Sequence, residues 1–145
     1  MNQEKHFRCL ESMYKAAPIN EFYKPKMEVR KGEATIEIDI SEKLHHSAGS
    51  VHGSVYFKML DDAAFFAANS LEAKVFVLTT SFTTYLTRPV SSGKLRSIGR
   101  VVNRNKRQFI AESIVYDSEE NEIGHGNGIF VRGKLPLKDA AGYIE

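Results

Sequence analysis

Gly53 and Asp61 stand eight residues apart at the start and in the middle of one long apolar run, and Asp62 follows at once. A glycine in the first turn of a helix keeps its N–H among the unpaired donors there, and its missing side chain lets another group come close. Such a helix start can hold a polarised carbonyl or a developing oxyanion. An acid inside an apolar helix is costly unless it is exposed, paired or functional. The pair suggests a polarised carbonyl with the acid serving as a general acid or base.

The two acids differ in their company. They lie about 100° apart around a helix. Asp62 has Lys58 one turn earlier, an ordinary ion-pair spacing. Asp61 has Phe57 one turn before it and Phe65 one turn after, so it sits on the more apolar stripe. That makes Asp61 the better candidate for acid–base work. Lys58 is also three residues from Asp61, and the same spacing fits two solvated carboxylates.

Three histidines, His45, His46 and His52, cluster in the loop before the helix, with His125 far along the chain. Their spacing fits no common zinc motif, and Cys9 is the only cysteine, so no metal is expected. His52 reads as a residue that orders the loop. Arg88 precedes Pro89, and Arg104, Lys106 and Arg107 form a charged turn. Each could meet a phosphate or simply end a strand in solvent. No Gly-x-Ser-x-Gly elbow and no Walker-type glycine loop occur.

The elements that must hold these residues follow from hydrophobic period. Phe7, Leu10, Met13 and Tyr14 have helical spacing within residues 3–16, and Pro18 and Asn20 end that pattern. A short strand over 27–30 and an alternating one over 34–40 come next. Residues 44–53 read as a loop and 54–69 as a largely buried helix. Strands are expected over 76–86, 95–104, 109–116 and 122–132, the last loosened by Gly124, Gly126 and Gly128. One long helix wrapped by a curved antiparallel sheet is an α+β arrangement.

The 145 residues suit one domain, with a helical segment over 1–20 and a polar tail over 133–145. A net charge of +2 gives nucleic acid no special claim as a partner. The lone cysteine excludes an internal disulfide, the polar first eight residues lack a signal-peptide core, and no run is long enough to span a bilayer. A cytoplasmic location without membrane attachment is the expectation.

The string Gly49-Ser50-Val51-His52-Gly53, with Asp61 eight residues on and Ala63 behind it, resembles the hotdog-fold thioesterases of the phenylacetate-degradation type. Phe82 to Val90, with its Arg88-Pro89, and Gly124 to Phe130 resemble that family's later strands; the likeness spans 44–132. The resemblance implies hydrolysis of an acyl-CoA thioester with Asp61 as base or nucleophile and the Gly53 N–H on the carbonyl. It implies a water- or carbonyl-orienting role for His46, where relatives often carry Asn, and a hydroxyl from Thr79 or its neighbour Thr80. His52, Ser54, Asp62, Thr80, Arg88, Arg104 and Arg107 are the candidate substrate contacts. No cofactor is implied beyond coenzyme A within the substrate, and sites shared between subunits imply a homodimer or a dimer-of-dimers tetramer. Ser54 replaces the family's second glycine, and the acid is doubled. Two other readings stay open: a non-catalytic acyl-CoA-binding module, and a hotdog hydratase or dehydratase that uses His46.

Overall fold

The computed structural model describes residues 1–145. Helix α1 (Gln3–Ala16) begins where the Asn2 side chain accepts the Lys5 N–H at 2.9 Å, the usual role of an asparagine cap. Its stripe of Phe7, Leu10, Met13 and Tyr14 is buried. Beyond Pro18 the chain does not stay irregular: a one-turn helix, α2 (Asn20–Tyr23), closes on a left-handed Lys24. Strands β1 (Lys26–Arg30) and β2 (Glu33–Asp39) form a hairpin. Gly32, at φ +73°, supplies the left-handed turn between them.

Helix α3 (Gly53–Ser70) follows, and then β3 (Val75–Leu86), β4 (Lys94–Arg104), β5 (Gln108–Tyr116) and β6 (Glu122–Pro136). All six strands form one antiparallel sheet in the order β1-β2-β4-β5-β6-β3. β3 is therefore an edge strand, although it is one of the longest. This is the α+β arrangement that the hydrophobic periods implied, with α3 packed on one sheet face.

Small residues set how closely α3 lies on the sheet. Ala63, Ala64, Ala67 and Ala68 are fully buried on the helix. A Cβ at Gly99 of β4 would stand 2.3 Å from the Ala63 carbonyl carbon and oxygen, so only glycine fits there. Ser113 of β5 donates to the Leu60 carbonyl at 2.7 Å, tying the strand to the helix backbone.

Residues 133–145 are not the polar tail that their composition suggested. β6 runs on to Pro136 because Arg132 and Pro136 pair with Val77 and Val75 of β3. Leu137 and Tyr143 are then buried against α1. The Tyr143 hydroxyl meets the buried His6 ring at 2.6 Å, whose other nitrogen donates to the Asn69 carbonyl. The terminus thus clamps α1 to the end of α3.

Candidate active site

The loop before α3 is held by its own backbone. His46 N–H donates to Ser50, Gly49 N–H to His46, and His45 bridges Val51. The His46 Nδ1 accepts the Ala48 N–H at 3.0 Å, so His46 offers an Nε2–H to the exposed side. His52 is the N-cap of α3, with Nδ1 accepting the Ser54 N–H at 3.0 Å and contacting the Ser54 hydroxyl at 2.8 Å. The Val55 N–H donates to the His52 carbonyl. Capping therefore takes up the next two N–H groups, of Ser54 and Val55, and leaves the Gly53 N–H without a partner in the protomer. No three His, Cys, Asp or Glu side chains converge as a metal set.

Gly53, Phe57, Asp61 and Phe65 recur every four residues and share one stripe of α3. β3 runs antiparallel along that stripe. Phe76 packs at a tilt against Phe65 with ring centres 5.2 Å apart, and Thr79 donates to Asp61 Oδ1 at 2.9 Å. Phe82 packs edge-on against Phe57, and Leu86 lies over Gly53, 3.1 Å from where a Cβ would stand. Thr79 and Phe82 are three residues apart and would face opposite ways on a regular strand. A bulge reconciles them: Thr79 faces Phe130 and Ser81 faces Ile129, so Thr80 is the extra residue. The Thr80 hydroxyl is tied to the Ile129 carbonyl at 3.1 Å. Of the two neighbouring threonines, Thr79 meets Asp61 within the protomer and Thr80 does not. The bulge also corrects the uninterrupted alternation expected across this strand.

Asp61 and Asp62 have separate surroundings. Asp62 Oδ2 accepts the Lys58 ammonium and the Tyr14 hydroxyl, both at 2.7 Å. Lys58 lies over the Tyr14 and Tyr23 rings. Burial and the Asp62 charge push the Tyr14 phenol well above its ordinary range, so it donates rather than ionises. Asp61 has only Thr79 as a hydrogen-bond partner. Burial pushes its carboxyl up to about 6, with the Asp62 charge adding to the rise and Thr79 and Lys58 opposing it. A carboxyl at that value can take a proton near neutral pH. It lines a cleft of about 250 Å³ with Lys58, Asp62, Phe65, Phe76, Thr79 and residues of α1.

The cleft's α1 wall, with Tyr14 in it, escaped the sequence reading. The one available signal was a phenol on an apolar stripe, which must find a buried partner. Arg88 is exposed near the first turn of α3, where its carbonyl accepts the Tyr56 hydroxyl at 2.7 Å. Arg104 and Arg107 are not brought to the site. They belong to the β4–β5 turn, and Arg104 lies beside Ser70 and Leu71 at the opposite end of α3. Their charge is in solvent there because a hairpin tip buries nothing.

Within one protomer Gly53 and Asp61 do not converge. Eight residues of helix separate them by about 12 Å. Phe57, 43% exposed, lies midway between them. A second copy related by a two-fold axis near Phe57 would set each Gly53 against the other's Asp61.

The comparisons with known proteins bear on this arrangement. A family model described as the thioesterase superfamily matches residues 48–123, just over half of the chain. A Saccharolobus solfataricus protein named "Putative esterase" is 25% identical over 103 residues, which are 71% of this chain and 69% of that protein. A second so named, from Sulfurisphaera tokodaii, is 24% identical across 70% of this chain and 76% of its own. Among solved structures, the PaaI protein of the E. coli phenylacetic acid degradation operon superposes with a TM-score of 0.84 at 17% identity, over 92% of this chain and 97% of that one. A point mutant of the phenylacetic acid degradation protein PaaI from Thermus thermophilus gives 0.72 at 20% identity, over 80% and 99%. At such identities these two likenesses speak to the fold alone. The matched family segment contains Gly53, Asp61 and Thr79 together, and the chain is accordingly a hotdog-fold member of the thioesterase superfamily, a family of hydrolases.

Proposed function

We propose that the protein hydrolyses acyl-CoA thioesters at two equivalent sites of a homodimer. The observation that carries this reading is the Asp61 carboxyl, raised to about 6 by burial, hydrogen-bonded by Thr79 alone and facing an apolar cleft. Thr79 holds Oδ1 and leaves Oδ2 free to take a proton from water. The resulting hydroxide adds to the thioester carbonyl. The oxyanion is met by the Gly53 N–H of the other protomer, at the positive end of α3. Collapse breaks the C–S bond, and the thiolate of CoA leaves and takes up a proton. His46 and His52, whose Nδ1 atoms accept backbone N–H groups and leave an Nε2–H on each ring, stand on the loop that ends at Gly53, which supports a role as donors to the carbonyl or the water.

The dimer is supported by the unpaired edge of β3. Leu78, Tyr85 and Leu86 are each about half exposed there beside Phe57. A long apolar edge strand invites pairing with another chain. The hydratase reading finds no support in the geometry, since the His46 Nδ1 is taken by backbone and no carboxylate pairs with that ring. No helix is long and apolar enough to cross a membrane.

A thiol-release screen across short, long and aryl acyl-CoA substrates tests the proposal. Free CoA should appear, and Asp61→Asn should lower turnover by roughly 10²-fold or more. Full activity of that variant on its best substrate would remove Asp61 from the reaction. Binding without release would mark an acyl-CoA-binding module.

A further inference from the structure

We propose that helix α1 and the turn after it form the end wall of the acyl site and set the largest acyl group the protein accepts. This rests on the thioesterase reading above. The cleft that Asp61 faces is lined on one side by Phe65, Phe66 and Phe76. It is bounded also by Met13, Tyr14, Ala17, Ile19 and Asn20. Those five residues lie outside the segment that matches the thioesterase superfamily, whereas Asp61 and Thr79 lie inside it. The chemistry and its size limit therefore come from different parts of the chain.

The wall is anchored and thin. Tyr14 is fixed by its bond to Asp62, and the Asn20 amide donates to the Tyr14 carbonyl at 2.7 Å, so the turn is fastened to the last turn of α1. The C-terminal clamp of Tyr143 on His6 keeps α1 against α3. Tyr14, Ala17 and Asn20 also line a wider cleft of about 950 Å³ on the other side, rimmed by Lys15, Lys24 and Lys26. The apolar cleft ends at this partition, and the charged one beyond it is unsuited to a hydrocarbon tail. The cleft, about 250 Å³ and open to solvent, exceeds the ~150 Å³ cavity that holds one benzene ring, so it suits a medium-sized apolar group. The expected substrates are acyl-CoA thioesters with a medium-length apolar acyl group and no charged end.

The test is kcat/KM of the full chain on saturated acyl-CoA substrates from two to sixteen carbons, with Ala17→Leu and Ile19→Ala alongside. The wild type should rise to about eight to ten carbons and fall beyond. Ala17→Leu thickens the wall and should lower the decanoyl-to-butyryl ratio roughly tenfold. Ile19, 58% exposed, can be trimmed without emptying the core, and Ile19→Ala should move the fall to longer chains. A length profile unmoved by both variants overturns the wall, and leaves hydrolysis itself standing. If no thioester is turned over, dissociation constants for S-alkyl-CoA thioethers of the same lengths carry the test. The same shifts in binding support the wall, and identical profiles in all three proteins overturn it.

Discussion

At the scale of single residues, the Asp61 carboxyl is the group whose state decides most. Activity that needs it ionised should rise through a limb near pH 6, and at pH 5 about a tenth of the plateau kcat/KM, which follows the free enzyme, should remain. The same group links stability to pH. An unfolded aspartate ionises near ~3.9, so between there and about 6 the folded state holds the extra proton and stability falls as pH rises. Asp61→Asn keeps an acceptor for Thr79 and removes the unfavourable charge. After a discount for partial exposure, we expect it to gain about 1 kcal/mol in urea unfolding at pH 7.5, and nothing near pH 4. A loss of stability at pH 7.5 would contradict the strained ionised state. Sequence spacing separated Asp61 from Asp62 because Phe57 and Lys58 fall on different helix stripes. It could not reveal Tyr14, which reaches Asp62 from 48 positions away.

At the scale of elements, hydrophobic period located every major helix and strand but not how they touch. The bulge in β3 leaves no trace, because Thr79, Thr80 and Ser81 all suit a strand and an extra one among them changes no composition. The closing segment misled for the opposite reason. Gly133 and Lys134 carry no apolar side chain, and the strand continues through them because Arg132 and Pro136 on either side pair with β3. Gly99 shows what contact demands of one element from another. Gly99→Ala would drive a methyl into the Ala63 backbone, where no side chain can turn aside. We expect a loss of about 2–4 kcal/mol in denaturant midpoint measurements, at the upper end of overpacking costs. A loss below about 0.5 kcal/mol would mean that α3 can shift off the sheet freely.

At the scale of the whole molecule, the sheet has one long unfinished edge at β3, and Gly53, Phe57 and Asp61 lie on the helix stripe beside it. Phe57→Arg would place a charge at the proposed two-fold axis, where its copy brings another. Sedimentation should then show a monomer, and turnover should fall with it although Asp61, Thr79 and Gly53 are untouched. A fully active monomer would place the oxyanion donor elsewhere in the same protomer.

The two helical turns between Gly53 and Asp61 carry a genetic consequence. Gly53→Pro deletes the N–H and suits this first helical position, since His52 before it is extended, at ψ 142°, and the half-exposed Leu86 side chain, 3.1 Å from a Cβ there, can turn aside. Such a protein and Asp61→Asn should each be inactive alone. Unfolded together and refolded as mixed pairs, they should regain activity, since each hybrid inherits one intact centre and one doubly crippled one. Statistical mixing makes half of the pairs hybrid, so roughly a quarter of wild-type turnover should return, from two dead parents.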